Sequence, residues 1–256
     1  MDPKDRLGSE TVAPFARDYP RGAEIGQHAH DSGQLIFARS GVMRVTAERG
    51  LWLVPPSRAL WMPARMAHAI ECRTDVAMRT VYVSCDLAAP FGGDCAVIDV
   101  SPLMREIVLR LVEGRPETAS YRSARPHLVA LLLIELEAGA VEPLHLPEPA
   151  DDRLRRVTAA LRADPASRDG QAHWAAMAGM AGRSFARRFA AETGLPLSAW
   201  RRRARMLLAI ERLAAGAPVT DVALEAGYDS LSAFIHAFRR DLGCTPGQYF
   251  GAGEAR

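Results

Sequence analysis

The C-terminal part of the chain carries the clearest pattern of apolar and polar positions. Residues 219–226 predict a short helix and residues 230–242 a second one, with Gly227 in the turn between them. Phe234 and Phe238 are four residues apart and therefore share one face of the second helix. Two short helices joined by a tight turn with glycine are typical of a helix-turn-helix, whose second helix enters a DNA groove.

The same pattern occurs a second time, earlier in the chain. Matching residues are 48 positions apart before the turn and 49 after it, so the second turn is longer by one residue. The sequence therefore predicts two helix-turn-helix units, at about residues 172–192 and 219–242, with reading helices at about 183–192 and 230–240. The matching pairs are Gly179 and Gly227, Phe185 and Phe234, Phe189 and Phe238, Gly194 and Gly243, and Trp200 and Tyr249.

A longer helix is predicted between the two units, from about Ser198 to Ala215, and it ends at Gly216. At a rise of 1.5 Å per residue its length is about 27 Å. Successive major-groove turns on one side of a duplex are about 34 Å apart. A helix of this length suits a protein that places two reading helices in adjacent grooves. Thr220 is expected to cap the helix that follows.

The N-terminal part has a different pattern, with short apolar runs and a period of two residues from Gly22 to Ser84. Short strands at this spacing predict an antiparallel sandwich or a small barrel. Two helices are predicted to follow, over residues 102–113 and about 126–139, with Pro126 in the first turn of the second. The predicted strands are residues 34–39, 42–46, 51–54, 78–84 and 98–100.

The two patterns indicate a multidomain chain, with an all-β N-terminal domain with trailing helices and an all-α C-terminal domain. The segment 140–150 has three prolines and no periodicity, which is typical of a linker. We expect an N-terminal domain over residues 1–140, a linker over 141–150 and a C-terminal domain over 151–256. The first helix of the C-terminal domain is predicted over residues 151–163.

Charge is divided unevenly between these parts. Residues 1–150 hold 16 Lys and Arg against 19 Asp and Glu, whereas residues 151–256 hold 16 against 11. The net charges are therefore −3 and +5, which add up to the +2 of the whole chain. A basic C-terminal half indicates a polyanionic partner such as DNA.

Several other classes lack their sequence signals. No run of 18 apolar residues predicts a membrane span, and residues 1–22 do not resemble a secretory signal. The four cysteines have no C-x-x-C spacing, which favours reduced thiols and a cytoplasmic protein. There is no G-x-S-x-G, no P-loop and no G-x-G-x-x-G.

The C-terminal residues resemble the DNA-binding domain of the AraC/XylS family of bacterial transcription regulators. The resemblance covers about residues 151–250 and rests on WRRRARMLLAIERLAAG followed by EAGYDSLSAFIHAFRRDLGCTPGQYF. It implies a regulator that binds double-stranded promoter DNA. One departure is Ala181-Gly182, where the family pattern has Ser-Pro at the start of the first reading helix. Loss of a serine cap costs about 1 kcal/mol, so this helix is expected to begin less firmly.

The N-terminal residues resemble the cupin-like sensor domain of the same family. His28, His30, Gln34 and Gly41 resemble the first cupin motif, and Pro63 and His68 the second. Residues two apart on a strand face the same side, so His28 and His30 could point into the barrel and meet His68 there. Three imidazoles suit a divalent ion of Zn, Ni, Cu or Fe.

The sequence does not decide what these barrel residues bind. Cupins usually have a glutamate where this chain has Gln34, and the neutral amide weakens a cation site. The alternative is that the histidines line a pocket for an organic effector or satisfy each other. No cofactor is certain; a divalent transition metal is one candidate.

Outward positions of the reading helices are the candidates for DNA contact. Base edges are assigned to Arg183, Ser184, Arg187, Asp229, Ser230, Ser232 and His236, and phosphates to Arg188, Arg239 and Arg240. The run Arg201 to Arg203 either contacts phosphate or forms a solvated face.

These observations predict a cytoplasmic, sequence-specific transcription regulator. Its cupin-like domain senses a small-molecule or metal effector and forms a homodimer, and no membrane partner and no enzymatic activity are expected. One alternative is a cupin metalloenzyme with a helical appendage, which has no need of two reading helices. Another is a nucleoid-type protein without sequence preference.

Overall fold

The computed structural model describes residues 11–114, 118–138 and 144–251. The chain divides into two compact units. One consists of Met1–Ala47 and Trp52–Glu142, and the other of Glu48–Leu51 and Pro143–Arg256. No helix of the described residues is both long enough and apolar enough to cross a membrane.

In the described residues, the first unit is built from antiparallel strands and three helices. The strands are β1 (Val12–Tyr19), β2 (Glu24–His28), β3 (Gly33–Ser40), β4 (Met43–Ala47), β5 (Gly50–Val54), β6 (Arg58–Met62), β7 (His68–Cys72), β8 (Val76–Val83) and β9 (Ala96–Asp99). The helices are α1 (Cys85–Ala88), α2 (Pro102–Glu113) and α3 (Ala119–Ala138), with a 3-10 turn at Ala89–Phe91. One sheet has the order β1-β8-β3-β6-β9, and β5-β4-β7-β2 are neighbours in the other.

This architecture confirms the predicted all-β, cupin-like domain with trailing helices. The five predicted strands correspond to β3, β4, β5, β8 and β9, and the predicted helix 102–113 is α2. The sequence pattern did not single out β1, although it pairs along its whole length with β8. Pro14 interrupts its alternation, and a proline is tolerated because β1 is an edge strand with one side free of ladder hydrogen bonds.

The start of α3 was predicted wrongly. Pro126 is predicted from the sequence to lie in the first turn, but the helix begins at Ala119 and Pro126 lies inside it. The hydroxyl of Thr118 accepts a hydrogen bond from the Tyr121 amide at 3.3 Å, which supports this earlier start. The Tyr121 hydroxyl donates to the Leu111 carbonyl of α2 at 2.9 Å and ties the added turns to the preceding helix.

The main core of the first unit lies between one sheet face and the two long helices. Leu35, Phe37 and Trp61 of the sheet are almost fully buried, as are Ile107 of α2 and Leu132 of α3. Side chains alternate along a strand, so Gln34 and Met62 point to the opposite face from Leu35 and Trp61. That opposite face carries the polar cluster described below.

The second unit is helical, as predicted. It contains β10 (His145–Pro147), α4 (Asp152–Ala163), α5 (Gln171–Met177), α6 (Gly182–Thr193), α7 (Leu197–Ala214), α8 (Val219–Glu225), α9 (Leu231–Leu242) and α10 (Pro246–Gly251). Asp151 caps α4, since its carboxylate accepts a hydrogen bond from the Arg153 amide at 2.8 Å. The expected cap at Thr220 is wrong, because α8 begins at Val219 with Pro218 in the cap position, and Thr220 lies inside the helix.

The segment assigned to a linker contains regular structure. Residues 141–143 lie outside the described residues, but 144–150 belong to the second unit and include β10. The Trp200 indole of α7 donates to the Pro147 carbonyl at 2.8 Å, and the Arg203 guanidinium donates to the His145 carbonyl at 2.9 Å. These bonds fix the segment to α7, which a reading of proline content did not anticipate.

Candidate nucleic-acid interface and sensor site

The first helix-turn-helix consists of α5 and α6. Gly179 occupies the turn with φ of +64°, a left-handed conformation that glycine adopts without strain. Gly194 ends α6 with φ of +70°, and its amide donates to the Ala190 carbonyl. Phe185 and Phe189 are fully buried, with ring centroids 5.7 Å apart.

The second helix-turn-helix, α8 and α9, reproduces these features. Gly227 has φ of +75° in the turn, and Gly243 ends α9 with φ of +81°. Phe234 and Phe238 are fully buried, and their ring centroids are also 5.7 Å apart. The repeat found in the sequence is therefore a repeat of backbone conformation and of core packing.

The aromatic residue after each unit completes the parallel. Trp200 packs edge-on against Phe189 with centroids 6.1 Å apart. Tyr249 packs edge-on against Phe238 with centroids 5.6 Å apart. The turn between α8 and α9, Ala226–Ser230, is one residue longer than the turn Ala178–Ala181, as the change of offset predicted.

All ten DNA-contact candidates are exposed to solvent, whereas the phenylalanines of the same two helices are buried. Eight of the candidates lie on α6 or α9, and Arg187 and His236 occupy equivalent positions, 49 residues apart. Arg183 and Ser232 are equivalent in the same way. The exposed candidates are Arg183, Ser184, Arg187, Arg188, Asp229, Ser230, Ser232, His236, Arg239 and Arg240.

The candidates differ in whether their side chains already form ion pairs within the protein. Arg188 pairs with Asp151 at 2.9 Å and with Glu192 at 3.0 Å. Hydrogen bonding from Arg153 and the charge of Arg188 hold the pKa of the Asp151 carboxyl well below its usual range. These pairings compete with any phosphate for Arg188. The described residues form no ion pair with Arg183 or Arg187.

Several candidates in the second helix-turn-helix also form ion pairs or hydrogen bonds within the protein. Arg240 pairs with Asp241 at 2.8 Å, which raises the pKa of its guanidinium. Asp229 pairs with Arg168 of the loop before α5. Ser230 caps α9, since its hydroxyl accepts from the Ala233 amide at 3.2 Å. Ser230 thus already has a structural task at the start of the helix.

Most arginines of α7 serve to hold the domain together. Arg201 donates to the carbonyls of Ser167 and Asp169, and Arg205 donates to the Pro165 carbonyl at 2.8 Å. Arg203 is bound to β10, as described above. Arg202 is half exposed and pairs with Asp241 at 3.5 Å, so of these four it is the most available to a phosphate.

The loop 164–170 connects the two helix-turn-helix units through hydrogen bonds and packing contacts, and we call it the brace. The sequence did not predict this brace. It accepts the Arg201 and Arg205 bonds from α7, and its Asp169 carbonyl accepts a bond from the Trp174 indole of α5 at 3.1 Å. It also lies against the second turn, where a Cβ on Gly227 would come within 2.9 Å of the Ala166 Cα. The only sequence signal is glycine at a turn, which does not identify the partner.

In the first unit, the three predicted barrel histidines do come together. Ligand atoms of His28, His30 and His68 all lie within 4.8 Å of one another. The rings of His28 and His68 have centroids 4.3 Å apart, and those of His30 and His68 are 5.2 Å apart. His30 and His68 are buried and His28 is half buried.

Each of two histidines has one ring nitrogen fixed by a backbone carbonyl. His28 Nδ1 lies 2.8 Å from the Gly26 carbonyl, and His68 Nδ1 lies 2.9 Å from the Met66 carbonyl. Burial lowers the pKa of His68 from 6.5 to about 4, so this ring is neutral at pH 7. Its proton is therefore on Nδ1, and its buried Nε2, an acceptor, has no hydrogen-bond partner among the described residues.

His30 and Gln34 face each other with two acceptor atoms. His30 Nδ1 lies 2.6 Å from the Ser32 carbonyl, and Nε2 lies 2.9 Å from Gln34 Oε1. The Gln34 amide donates to the Thr80 hydroxyl at 3.0 Å, which donates to the Leu35 carbonyl at 2.7 Å. A neutral imidazole carries one N–H, so one of the two His30 contacts lacks a proton.

Reversal of the Gln34 amide is one way to resolve the mismatch. The amide would then donate to His30 Nε2, and the Thr80 hydroxyl would turn from the Leu35 carbonyl to donate to Gln34 Oε1. With either orientation of the amide, the buried Nε2 of His68 is an acceptor without a hydrogen-bond donor among the described residues.

Both the N-terminal and the C-terminal part of the chain match known protein families. Residues 13–172 match the family described as the AraC-like ligand binding domain, and residues 174–252 match a helix-turn-helix domain family. The fold and the sites thus define a transcription regulator with a ligand-binding domain and a helix-turn-helix DNA-binding domain. The chain belongs to the AraC family of such regulators.

The chain is also similar to two transcriptional regulators and to one solved structure. The chain is 32% identical over 222 residues to the HTH-type transcriptional regulator NimR of Escherichia coli K12, covering 87% of this chain and 81% of NimR. It is 31% identical over 107 residues to the regulator RipA of Corynebacterium diphtheriae, covering 42% and 31% of the two chains. The solved structure of ToxT from Vibrio cholerae is 9% identical, with a TM-score of 0.41 over 94% of this chain and 98% of ToxT.

Proposed function

We propose that α6 and α9 are the two reading helices and that they enter successive major grooves of one operator. The observation that supports this most is the equivalence of the two units in turn, core and exposed face. Arg183 and Arg187 on α6, and Ser232 and His236 on α9, are the base-contact candidates at matching positions. Arginine reads guanine by two hydrogen bonds in the major groove, and a ring nitrogen of histidine can donate one.

Arg239 and Arg240 keep the positioning role predicted from the sequence, whereas Ser184 and Asp229, predicted there to contact base edges, are proposed here for positioning. Arg239 and Arg240 follow the reading face at the end of α9 and approach the phosphate backbone. Ser184 and Asp229 lie at the edge of the reading surface, and Asp229 orients Arg168 toward the same backbone. Phosphate contacts fix the register of the protein but carry no direct sequence information.

The test is a binding assay against an operator in which every base pair is substituted in turn. Arg187→Ala should relax the preference at one position and His236→Ala at another. If the helices occupy successive grooves, the two positions should lie about 10 base pairs apart, one helical turn. Two positions within the same three or four base pairs would contradict this docking. Equal loss on all sequences would mean that neither side chain reads bases.

For the sensor domain, we propose a divalent transition-metal effector at His28, His30 and His68, with Gln34 as the fourth group. The support is the set of convergent acceptors, above all the buried Nε2 of His68. Zn–N bonds are about 2.0–2.1 Å long, so two nitrogens of a tetrahedral site are about 3.4 Å apart, and the widest pair here, at up to 4.8 Å, has to close by about an ångström around one ion. An organic effector with donor groups is the competing occupant.

Thermal melting of chelator-treated, untagged protein tests this part. Zn, Ni or Fe(II) should raise the melting temperature, because an ion that binds only the folded state stabilises it by mass action. The rise should disappear in His28→Ala/His30→Ala, and Gln34→Glu should strengthen it by adding an anionic ligand. If no ion shifts the melting temperature of the wild type, the metal effector is refuted and the organic effector is favoured.

The organisation of the whole regulator is proposed on the same basis. Residues 1–140 sense the effector, residues 151–256 bind DNA, and two chains act together as a cytoplasmic homodimer. Effector binding must favour one arrangement of the two domains over another, since a ligand shifts an equilibrium only by its differential affinity. Sedimentation of the protein with and without effector tests the dimer.

A further inference from the structure

A second cluster of ligand atoms in the first unit contains only sulfur. Cys95 Sγ lies 3.1 Å from Met66 Sδ and 3.6 Å from Met62 Sδ. We call Met62, Met66 and Cys95 the sulfur cluster. None of its members belongs to the group of histidines described above, and neither the sequence motifs nor the family assigns them a role.

Strand pairing fixes the positions of two of these residues. β6 and β9 are antiparallel with Trp61 opposite Ala96 as the last pair, and Cys95 directly precedes β9 where continuation of this register would set it opposite Met62. On its other side Met62 is opposite Gln34 of β3. Residues directly opposite each other point to the same face, so the sulfur cluster lies on the sheet face that carries Gln34.

Met66 joins the sulfur cluster from the connection between β6 and β7. It is four residues after Met62, and its carbonyl holds the ring of His68 at 2.9 Å. Met66 and Cys95 are both half buried, Met62 is fully buried, and a Cβ on Gly92 or Gly93, shortly before Cys95, would meet nothing within 4 Å. The sulfur cluster is therefore open to solvent on the side of Met66 and Cys95, with Met62 at its closed end.

We propose that the sulfur cluster binds a soft monovalent metal ion, Cu(I). Thiolate and thioether ligands select Cu(I) among biological metals, and two thioethers with one thiol give a set of three soft donors. On binding, the Cys95 thiol loses its proton to solvent and a Cu–S bond forms, while both thioethers donate lone pairs without a change in charge. Copper stays in the +1 state, so no oxidant or reductant is consumed.

A purely structural explanation is that the methionines fill gaps in the core and that the thiol donates a weak hydrogen bond to a methionine sulfur. It accounts for one Cys95 contact, because a thiol has a single hydrogen. It does not account for the convergence of two thioethers on the same sulfur at a site that solvent can reach.

The test uses the full-length protein, reduced and free of oxygen, titrated with Cu(I) against a chromophoric Cu(I) chelator. X-ray absorption of the loaded protein should show a first shell of sulfur. Cys95→Ser should weaken Cu(I) binding at least tenfold, since even outer-shell changes cost about 10–100-fold in metal affinity. Cys85→Ser is the matched control: Cys85 is exposed, its thiol donates to the Asp31 carbonyl, and its loss should leave the affinity unchanged.

A second pair of variants separates the sulfur cluster from the histidines. Met62→Leu/Met66→Leu conserves volume, so the fold should persist while Cu(I) affinity falls. His28→Ala/His30→Ala should leave Cu(I) affinity unchanged. A first shell of nitrogen and oxygen, or an affinity lost only in the histidine variant, would place the ion among the histidines and overturn the proposal. Absence of Cu(I) binding would overturn it as well.

Discussion

The two helix-turn-helix units have the same core but different surroundings. In both, two phenylalanines four residues apart are fully buried, a left-handed glycine forms the turn and another ends the reading helix. Around this common core, α6 begins without a side-chain cap at Ala181, whereas Ser230 caps α9. The second turn lies against the brace at Ala166, whereas a Cβ on Gly179 would meet nothing within 4 Å.

The difference shows which exposed residues are free to vary with the operator. Arg187 and His236 are equivalent, exposed and chemically different, as expected if each reads its own base. Arg188 is equivalent to Ala237, which is buried, so this position faces inward and Arg188 reaches Asp151 and Glu192 instead. Glu192 and Asp241 are also equivalent, and each pairs with an arginine of its own unit.

The largest expected effect comes from the shared core. Phe189→Ala and Phe238→Ala should each destabilise the helical domain by about 3–5 kcal/mol, because truncation of a buried phenylalanine removes apolar contact and leaves a cavity. Urea denaturation, monitored by the loss of helical circular dichroism, measures the free energy of unfolding of both variants. A much smaller loss at one site would mean that its unit relaxes around the cavity and that the two cores are not equivalent.

Leu224→Ala is the control for this pair, since Leu224 is 68% exposed and its truncation should change stability by less than about 0.5 kcal/mol. The same experiment tests the proposed domain boundary. Phe238→Ala should leave the melting transition of the sensor domain in place. Loss of both transitions together would contradict a division near residues 141–150.

The turn glycines should respond differently although both are left-handed. Gly179→Ala should cost about 1–2 kcal/mol, the usual penalty for a side chain at positive φ. Gly227→Ala should cost more, because its Cβ would also come within 2.9 Å of the Ala166 backbone. Equal losses in denaturation midpoint would show that the brace yields easily and does not hold the second turn.

Arg187 and Arg188 are adjacent but should differ in their effect on DNA binding. If Arg187 reads a guanine, Arg187→Ala should cost about 1–3 kcal/mol on the operator and relax the preference at one base pair. Arg188→Ala should mainly lower stability, because it leaves Asp151 and Glu192 with less compensation. DNA-binding titrations at several salt concentrations distinguish the two roles. If the affinity of Arg188→Ala depends less on salt than that of the wild type, Arg188 does contact a phosphate.

The sequence predicted those parts of the molecule that depend on local pattern. Phenylalanine spacing and turn glycines were enough to locate both units, and the meeting of His28, His30 and His68 followed from their resemblance to cupin motifs. The edge strand β1 was missed because Pro14 breaks its alternation, and the start of α3 because a proline usually opens a helix. The brace at 164–170 and the ion pairs of Arg188 depend on tertiary contacts, which no local pattern encodes.

The smallest expected effect concerns the helix caps, where a reciprocal exchange is available. Ala181 and Ser230 are equivalent, and both have the extended backbone of a cap residue. Ala181→Ser should stabilise the domain and Ser230→Ala should destabilise it, each by about 1 kcal/mol, because a serine hydroxyl accepts an otherwise unpaired amide hydrogen. The measurement is the shift of the urea midpoint at constant slope.

The double variant Ala181→Ser/Ser230→Ala tests whether the units are independent at this level. Sites without shared partners should add, so the double variant should be close to the wild type in stability. A stabilising Ala181→Ser would show that α6 lacks only its cap. No gain would mean that the start of α6 is already held by another contact, for which the Gln171 amide that donates to the Gly182 carbonyl at 3.3 Å is the candidate. Gln171→Ala should then reduce stability by about as much as a lost cap, which no residue of the second unit would mirror.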